Sequence, residues 1–173
     1  MFQKFASEPK ISSAQAFISF YQHGIAQKLL HHLKYKGVQD LGKVLGRWFA
    51  PQLMELELDF IIPIPLHHKK QRKRGYNQSQ LIAEGLSEQL EIPVKSTLVS
   101  REINTRSQTR KSKLQRWQDM ENIYSRISAD LGGKKILVVD DVVTTGATVS
   151  MLCARLVEAG ASEIHVACIA RGV

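Results

Sequence analysis

The 173-residue sequence predicts an α/β fold in three layers, with a mostly parallel, twisted sheet between flanking helices. Short apolar runs at Phe60–Ile62, Lys135–Asp140 and Ile164–Ala170 are typical of buried parallel strands. Segments with helical spacing alternate with these runs. The chain is 43% hydrophobic, enough for a full-sized core, so we expect a single domain over residues 1–173 with a frayed start at 1–11.

The first half of the chain contains three patterns of helical spacing. The second is expected to be capped by Asp40 and disturbed at Pro51. We expect Trp48 and Phe49, both on the second helix, to lie in the core. The apolar positions of the three patterns are Phe17, Phe20, Tyr21, Ile25, Leu29, Leu30 and Leu33; Leu41, Val44, Leu45, Trp48 and Phe49; and Leu81, Ile82, Leu86 and Leu90.

The second half begins with two predicted strands, Val94–Arg101 and Asn122–Ser128. Between them lies a polar, basic segment, about Glu102–Glu121. A segment of that length in a compact domain is usually functional or mobile. A helix over Thr145–Ala159, closed by Gly160, follows the strand Lys135–Asp140.

The net charge of +8 is concentrated in two windows. Residues 67–75 contain five cations and no acid, and residues 101–116 contain six cations and one acid. The rest of the chain is close to neutral, and basic windows of this kind predict a polyanionic ligand. For His67–Arg74, contact with pyrophosphate or a nucleic-acid backbone and a merely solvated loop are equally favoured.

Several classes of protein are not expected. No apolar run is long enough to span a bilayer, and residues 1–6 do not resemble a signal peptide. Cys153 and Cys168 lie in apolar segments and are typical of reduced core residues in a cytoplasmic protein. The chain has no CxxC pair, which excludes a zinc site of that kind.

The segment Ile136–Thr148 carries the strongest functional pattern. A buried strand, Ile136–Val139, ends in Asp140 and Asp141, and Thr144–Thr148 then opens a helix. Ligands of open α/β sheets bind at the carboxyl ends of the strands. Small hydroxyl residues around a glycine at a helix start suit a monophosphate, and two carboxylates suit ribose hydroxyls, held directly or through hydrated Mg²⁺. Simple helix capping is the weaker alternative.

All thirteen residues of Ile136–Thr148 match the signature that binds 5-phosphoribosyl-1-pyrophosphate (PRPP) in type I phosphoribosyltransferases. From about Tyr21 onward the chain resembles the ComF family, whose members are often labelled competence or amidophosphoribosyltransferase-like proteins. Three further blocks carry this resemblance: Leu33–Gly37, Pro63–Leu66 and Arg74–Ser79.

The resemblance implies a type I phosphoribosyltransferase fold with a small hood and a mobile loop. It implies that Asp140 and Asp141 hold the ribose hydroxyls, and that Mg²⁺ binds through PRPP and water rather than directly to protein. Arg101–Arg116 corresponds to the mobile loop. The implied 5′-phosphate site is Thr144, Thr145, Gly146, Ala147 and Thr148, and the implied pyrophosphate loop contains Pro63, Ile64 and Pro65.

Two features depart from the family. Many members begin with a four-cysteine zinc module, which these residues do not contain; either this branch lacks it or the sequence starts after it. In the mobile segment, Lys111 and Asp119 stand where the family has an apolar residue and an asparagine. The positions that fit the family pattern are Thr105, Gln108, Arg116 and Tyr124.

We therefore expect a phosphoribosyltransferase whose catalytic residues are Asp140, Asp141, Arg101 and Arg106, with Arg110 and Lys111 as further candidates for stabilising the leaving group. The acceptor is not predicted. The alternative is a non-catalytic protein that binds PRPP or single-stranded DNA during DNA uptake, although aromatic residues near the basic windows are sparse. A homodimer is left open, and no membrane partner is expected.

Overall fold

A computed structural model describes residues 11–20, 25–35, 38–102 and 123–172. The strands are β1 (Ile11–Phe20), β2 (Phe60–Pro63), β3 (Lys135–Val143) and β4 (Glu163–Gly172). The helices are α1 (Ile25–Tyr35), α2 (Gln39–Phe49), α3 (His68–Arg74), α4 (Gln78–Leu90) and α5 (Ala147–Glu158), with a short 3₁₀ helix at Ala50–Leu53. None of the helices in these residues is long and apolar enough to cross a membrane.

The four strands form one parallel sheet in the order β1-β4-β3-β2. One face packs against α5, where Val138 meets a cluster that includes Leu152 and Leu156. The other face packs against α2 and α4, where Leu137 joins a cluster that includes Phe49. Continuous burial of the central strands matches their unbroken apolar runs. The predicted α/β fold with a parallel sheet between helices is confirmed.

Strand β1 is the main error of the sequence prediction. Phe17 and Phe20 were assigned to a helix, but they belong to a strand that pairs in parallel with β4. The ring of Phe17 lies 5.5 Å from the ring of Phe49. Pairing with β4, about 150 residues away in sequence, outweighs the local helical spacing. Tyr21 lies outside the described residues.

The two strands predicted around the basic segment do not form as strands. Val94 makes an isolated bridge with Ile61, and Arg101 makes an isolated antiparallel bridge with Tyr124. Asn122 and residues 103–121 lie outside the described part of the chain. Isolated bridges satisfy only part of the backbone hydrogen bonding, so these segments stay irregular.

Other differences concern single residues. Trp48 was predicted in the core, but 65% of its surface is exposed, whereas Phe49 is fully buried as expected. Asp40 lies in the first turn of α2 rather than at its cap, which is Val38. Both cysteines are buried and neither forms a disulfide, as predicted.

Glycines allow α2 and α4 to pack with their backbones in contact. A Cβ on Gly46 would lie 2.2 Å from the carbonyl oxygen of Ile82, and a Cβ on Gly85 would lie 2.1 Å from that of Lys43. No side chain fits in either space. This contact fixes α4 along the sheet, and the first turn of α4 therefore lies at the carboxyl end of β3.

Candidate functional site

The site is built at the carboxyl end of β3, where Asp140 and Asp141 occupy consecutive strand positions. Two other elements reach the same place. The first turn of α4 contributes Ser79, and the last turn of α1 contributes Lys34. Residues distant in sequence thus meet the carboxylate pair that the sequence singled out.

The carboxylate of Asp140 is half-buried and already holds two donors. Its Oδ1 accepts a hydrogen bond from Ser79 Oγ at 3.0 Å and another from the backbone N–H of Asp141 at 2.8 Å. Its Oδ2 accepts none from the described residues. Burial, together with the adjacent charge of Asp141, raises the pKa of Asp140 to about 7. Asp140 therefore changes charge near neutral pH.

The carboxylate of Asp141 is held by one hydrogen bond and one ion pair. Its Oδ1 accepts from the backbone N–H of Val142 at 2.9 Å. Its Oδ2 lies 2.7 Å from Lys34 Nζ. That Oδ2 atom is buried and accepts no hydrogen bond from the described residues, so Lys34 balances its charge without hydrogen-bond geometry.

The block Arg74–Ser79 connects the elements around the carboxylates. Tyr76 donates its hydroxyl to the carbonyl oxygen of Leu33 at 2.7 Å, which ties α4 to α1. Asn77 caps α4 by accepting from the N–H of Ser79, and it donates to the carbonyl oxygen of Ile64 at 3.0 Å. Asn77 is thus the N-cap of α4. Tyr76 and Ser79 tie this block to neighbouring segments.

The turn Thr144–Thr148 contrasts with the carboxylates in being open. Thr144, Thr145 and Ala147 are exposed, and α5 begins at Gly146 without a side-chain cap. Gly146 has a φ of 81°, a conformation that glycine adopts without strain. The N–H of Ala147 makes a long hydrogen bond to Thr145 Oγ1, at 3.4 Å. The N–H groups of this helix start can bind an anion, and the first turn of α5 contains no acidic residue.

The predicted pyrophosphate loop has buried side chains. Pro63, Ile64 and Pro65 are all buried. The N–H of Ile64 donates to the carbonyl oxygen of Val139 at 2.8 Å, while its own carbonyl accepts from Asn77. These three residues therefore shape the turn, and their side chains face the protein.

Basic groups surround this end of the sheet. Helix α3 follows β2 directly, and Lys69, Arg72 and Lys73 on it are exposed. Arg101 is half-buried at the base of the 102–122 segment. Tyr124, at the other side of that base, is buried and donates its hydroxyl to the carbonyl oxygen of Thr148 at 3.2 Å. Arg106, Arg110 and Lys111 lie outside the described residues.

Sequence reasoning named Lys34 only as part of the block Leu33–Gly37 and did not predict its role. A signal was present, because Lys34 stands four positions after Leu30 and next to Leu33, which are both buried. Residues four apart share a helix face. A lysine on the buried face of a helix needs an acidic partner, and Asp141 is that partner.

The donor set is compatible with Mg²⁺ held through a ligand. Mg²⁺ prefers oxygen and keeps several of its water molecules. Asp140 Oδ2 is an oxygen that accepts no hydrogen bond from the described residues, and it can accept from such a water. No group of three or more His, Cys, Asp or Glu side chains in the described residues could hold a metal by itself.

Comparison with known proteins shows the family and the fold of this chain. Residues 77–172 match the family model described as "Phosphoribosyl transferase domain". The glutamine PRPP amidotransferase from B. subtilis, solved with ADP and GMP, is 26% identical with a TM-score of 0.56 over 76% of this chain and 26% of that one. The chain belongs to the type I phosphoribosyltransferase-like family, with its α/β fold.

The curated relatives place the chain in the ComF-type branch of this family. "Competence protein F" of Haemophilus influenzae is 34% identical over 83% of this chain and 60% of that protein. "DNA utilization protein YhgH" of Shigella flexneri is 32% identical over 83% of this chain and 66% of that protein. The chain therefore spans slightly less than two thirds of the length of these curated relatives.

Proposed function

We propose that the chain binds PRPP and transfers its 5-phosphoribosyl group to an acceptor, with release of pyrophosphate and with Mg²⁺ bound through PRPP. One juxtaposition carries this proposal. A charge-balanced carboxylate pair and an uncapped threonine turn lie at the end of the same strand, Asp140 and Asp141 before Thr144–Thr148. A ribose 5′-phosphate carries a diol and an anion, which are the two groups that these features can bind.

In this proposal the protein orients the sugar and supplies no nucleophile. Asp140 and Asp141 accept hydrogen bonds from the ribose hydroxyls, while the N–H groups at the start of α5 and the hydroxyls of Thr144 and Thr145 donate to the 5′-phosphate. The acceptor displaces pyrophosphate at C1 through an oxocarbenium-like transition state. Holding the reactants in line supplies much of the rate.

The leaving pyrophosphate gains negative charge as the C1–O bond breaks. Arg101 and the exposed cations of α3 are the described groups available to stabilise it. Bound Mg²⁺ would neutralise part of the same charge. The roles predicted for Arg106, Arg110 and Lys111 remain predictions from the sequence.

Calorimetry with PRPP and Mg²⁺ tests the binding half of the proposal. The double variant Asp140→Asn with Asp141→Asn should abolish binding, because amides are weaker acceptors and carry no charge. The matched control is Glu84→Gln with Glu88→Gln, which removes two acids from ion pairs on the surface of α4. Unchanged PRPP affinity in the Asp140/Asp141 double variant would show that these carboxylates do not bind PRPP.

Pyrophosphate release tests the transfer half. The protein, PRPP and Mg²⁺ are incubated with ammonia, glutamine or a panel of nucleobases, and pyrophosphate is measured. Release that depends on one acceptor and is lost in the Asp140/Asp141 double variant supports a transferase. PRPP binding without release under any acceptor supports a binding protein instead.

A second candidate function is single-stranded DNA binding in DNA uptake. The exposed basic residues of α3 favour it, and relatives named for competence and DNA utilization add support. Such binding rests on phosphate contacts and falls steeply with salt. We expect Lys69→Gln with Lys73→Gln to reduce the salt dependence. The control is Lys43→Gln, because Lys43 is paired with Glu84.

A further inference from the structure

The ion pair between Lys34 and Asp141 differs from a surface pair. Its side chains expose 24% and 13% of their area, compared with 37% and 31% for Lys43 and Glu84. Burying an ammonium group is costly unless its partner is held in place. This partly buried ion pair lies at the carboxylates to which the proposed function assigns ribose binding.

Lys34 is itself held in a fixed position. The carbonyl oxygen of its neighbour Leu33 accepts the hydroxyl of Tyr76, and Leu33 is fully buried. The last turn of α1 is thus tied to the residues just before α4. Ser79, in the first turn of α4, holds the other carboxylate, Asp140. One connected set of contacts therefore sets the positions of both acids.

We infer that Lys34 is a positioning residue for the sugar diol, which orients Asp141 so that the acid pair prefers ribose to a 2-deoxy sugar. This inference rests on the proposed function. The N–H of Val142 and Nζ of Lys34 hold the two oxygens of Asp141, and these two contacts fix the plane of the carboxylate. Two adjacent hydroxyls need two acceptors at a fixed separation, and Asp140 Oδ2 supplies the other.

Removal of Lys34 would act on the pair in two ways. Asp141 would lose the contact that fixes its rotation, and the two adjacent carboxylates would lose the cation that offsets their repulsion. Both effects weaken the grip on the diol. The phosphate turn at Thr144–Thr148 is held by other contacts, such as the one from Tyr124, and should keep its anion.

The experiment compares ribose 5-phosphate with 2-deoxyribose 5-phosphate, measured by calorimetry on the full chain. The wild-type protein should prefer the ribose form. Lys34→Gln should lower that preference by about tenfold, as expected for loss of a partly buried ion pair that orients a carboxylate. Lys34→Arg should restore most of it, and the control Lys43→Gln should leave it unchanged.

Two results would overturn the inference: an unchanged preference in Lys34→Gln, or an equal loss of affinity for both sugars. The second would mean that Lys34 only supports the fold or attracts anions. Should Lys34→Gln fail to fold, Lys34→Met keeps the apolar stem of the side chain and repeats the test. A wild-type protein that binds neither sugar phosphate would instead refute the proposed function itself.

Discussion

The two halves of the candidate site differ in how far their polar groups are satisfied before a ligand binds. On the carboxylate side, Ser79, Lys34 and two backbone N–H groups contact Asp140 and Asp141. On the phosphate side, the start of α5 has no side-chain cap and its threonines face solvent. Acidic groups need internal partners to be held together, whereas N–H donors at a helix start can be left to water.

Because of this difference, the two halves of the site depend on different parts of the fold. The carboxylate side draws on α1, α4 and β3, so it requires long-range packing to be correct. The phosphate side depends on one strand, the helix that follows it and the hydrogen bond from Tyr124 to Thr148. Disturbance of the packing between helices should therefore affect the sugar before the phosphate.

The largest expected effect comes from the contact between α2 and α4. Gly85→Ala would place a methyl group 2.1 Å from the Lys43 carbonyl oxygen, so the helices must separate. We expect a loss of about 3 kcal/mol in the free energy of unfolding, measured with urea. In the folded fraction, the ribose preference should fall more than the affinity for inorganic phosphate.

The control for this change is Gly132→Ala. A Cβ there meets only the side chain of Asp130, at 3.2 Å, so the stability should change little. Wild-type stability in Gly85→Ala would show that the two helices are not held by backbone contact.

The next effect concerns the pH dependence of stability. The pKa of Asp140 is raised from 3.8 to about 7 on folding, so the folded state binds this proton more tightly than the unfolded state. The carboxyl therefore stabilises the protein at low pH and loses that contribution as the pH rises through 7. Asp140→Asn should be more stable than wild type by about 1–3 kcal/mol at pH 8 and nearly equal at pH 4.

Asp59 gives the opposite case. Hydrogen bonds from the backbone N–H of Lys135 and the side chain of Lys134 lower the pKa of Asp59. Asp59→Asn should therefore lose stability above pH 4, where the carboxylate is ionised. Thermal unfolding of both variants is measured between pH 4 and pH 8. If both substitutions raised stability at pH 8, or both lowered it, the predicted difference between Asp140 and Asp59 would be wrong.

Two tyrosines tie the two halves to their surroundings and can be compared directly. Tyr124→Phe removes the hydrogen bond to Thr148, and Tyr76→Phe removes the one to Leu33. Each substitution should lower the free energy of unfolding, measured by thermal unfolding, by about 1 kcal/mol. The first should weaken phosphate binding and the second the ribose preference. The reverse pattern would show that the halves are not separate.

The smallest expected change in stability comes from Ala147→Glu, which should raise stability but weaken phosphate binding. Ala147→Glu places an acid in the exposed first turn of α5, where it interacts favourably with the helix dipole. Stability should rise by about 0.3–1 kcal/mol, while inorganic phosphate should no longer bind because the acid repels it. Ala147→Gln is the neutral control and should retain phosphate affinity.

Features with a strong local pattern were predictable from the sequence. The apolar run of β3 and the acids and threonines after it identified the end of the sheet where the candidate site lies. Strand β1 was missed because its pairing with β4 is non-local, and its phenylalanines also fit a helical period. The strands expected at Val94–Arg101 and Asn122–Ser128 failed because the described residues of these segments make only isolated bridges.

The contacts within the site were harder to predict. The block Arg74–Ser79 stood out in the sequence, but which atoms Tyr76, Asn77 and Ser79 contact depends on how α4 lies on the sheet. Gly46 and Gly85 set that position through backbone contact, which no hydrophobic pattern reveals. The partner of Lys34 depends on the same packing.

The base of the segment between residues 102 and 123 has a consequence for evolution. The N–H of Glu102 donates to the carbonyl oxygen of Ile123, and that of Ser125 donates to the carbonyl oxygen of Ser100, both at 2.9 Å. These hydrogen bonds hold residues 102 and 123 together, and the entropic cost of joining two points of a chain rises slowly with the number of residues between them. Insertions and deletions between residues 102 and 123 can therefore accumulate in descendants at little cost in stability, while the sheet and its acids stay unchanged.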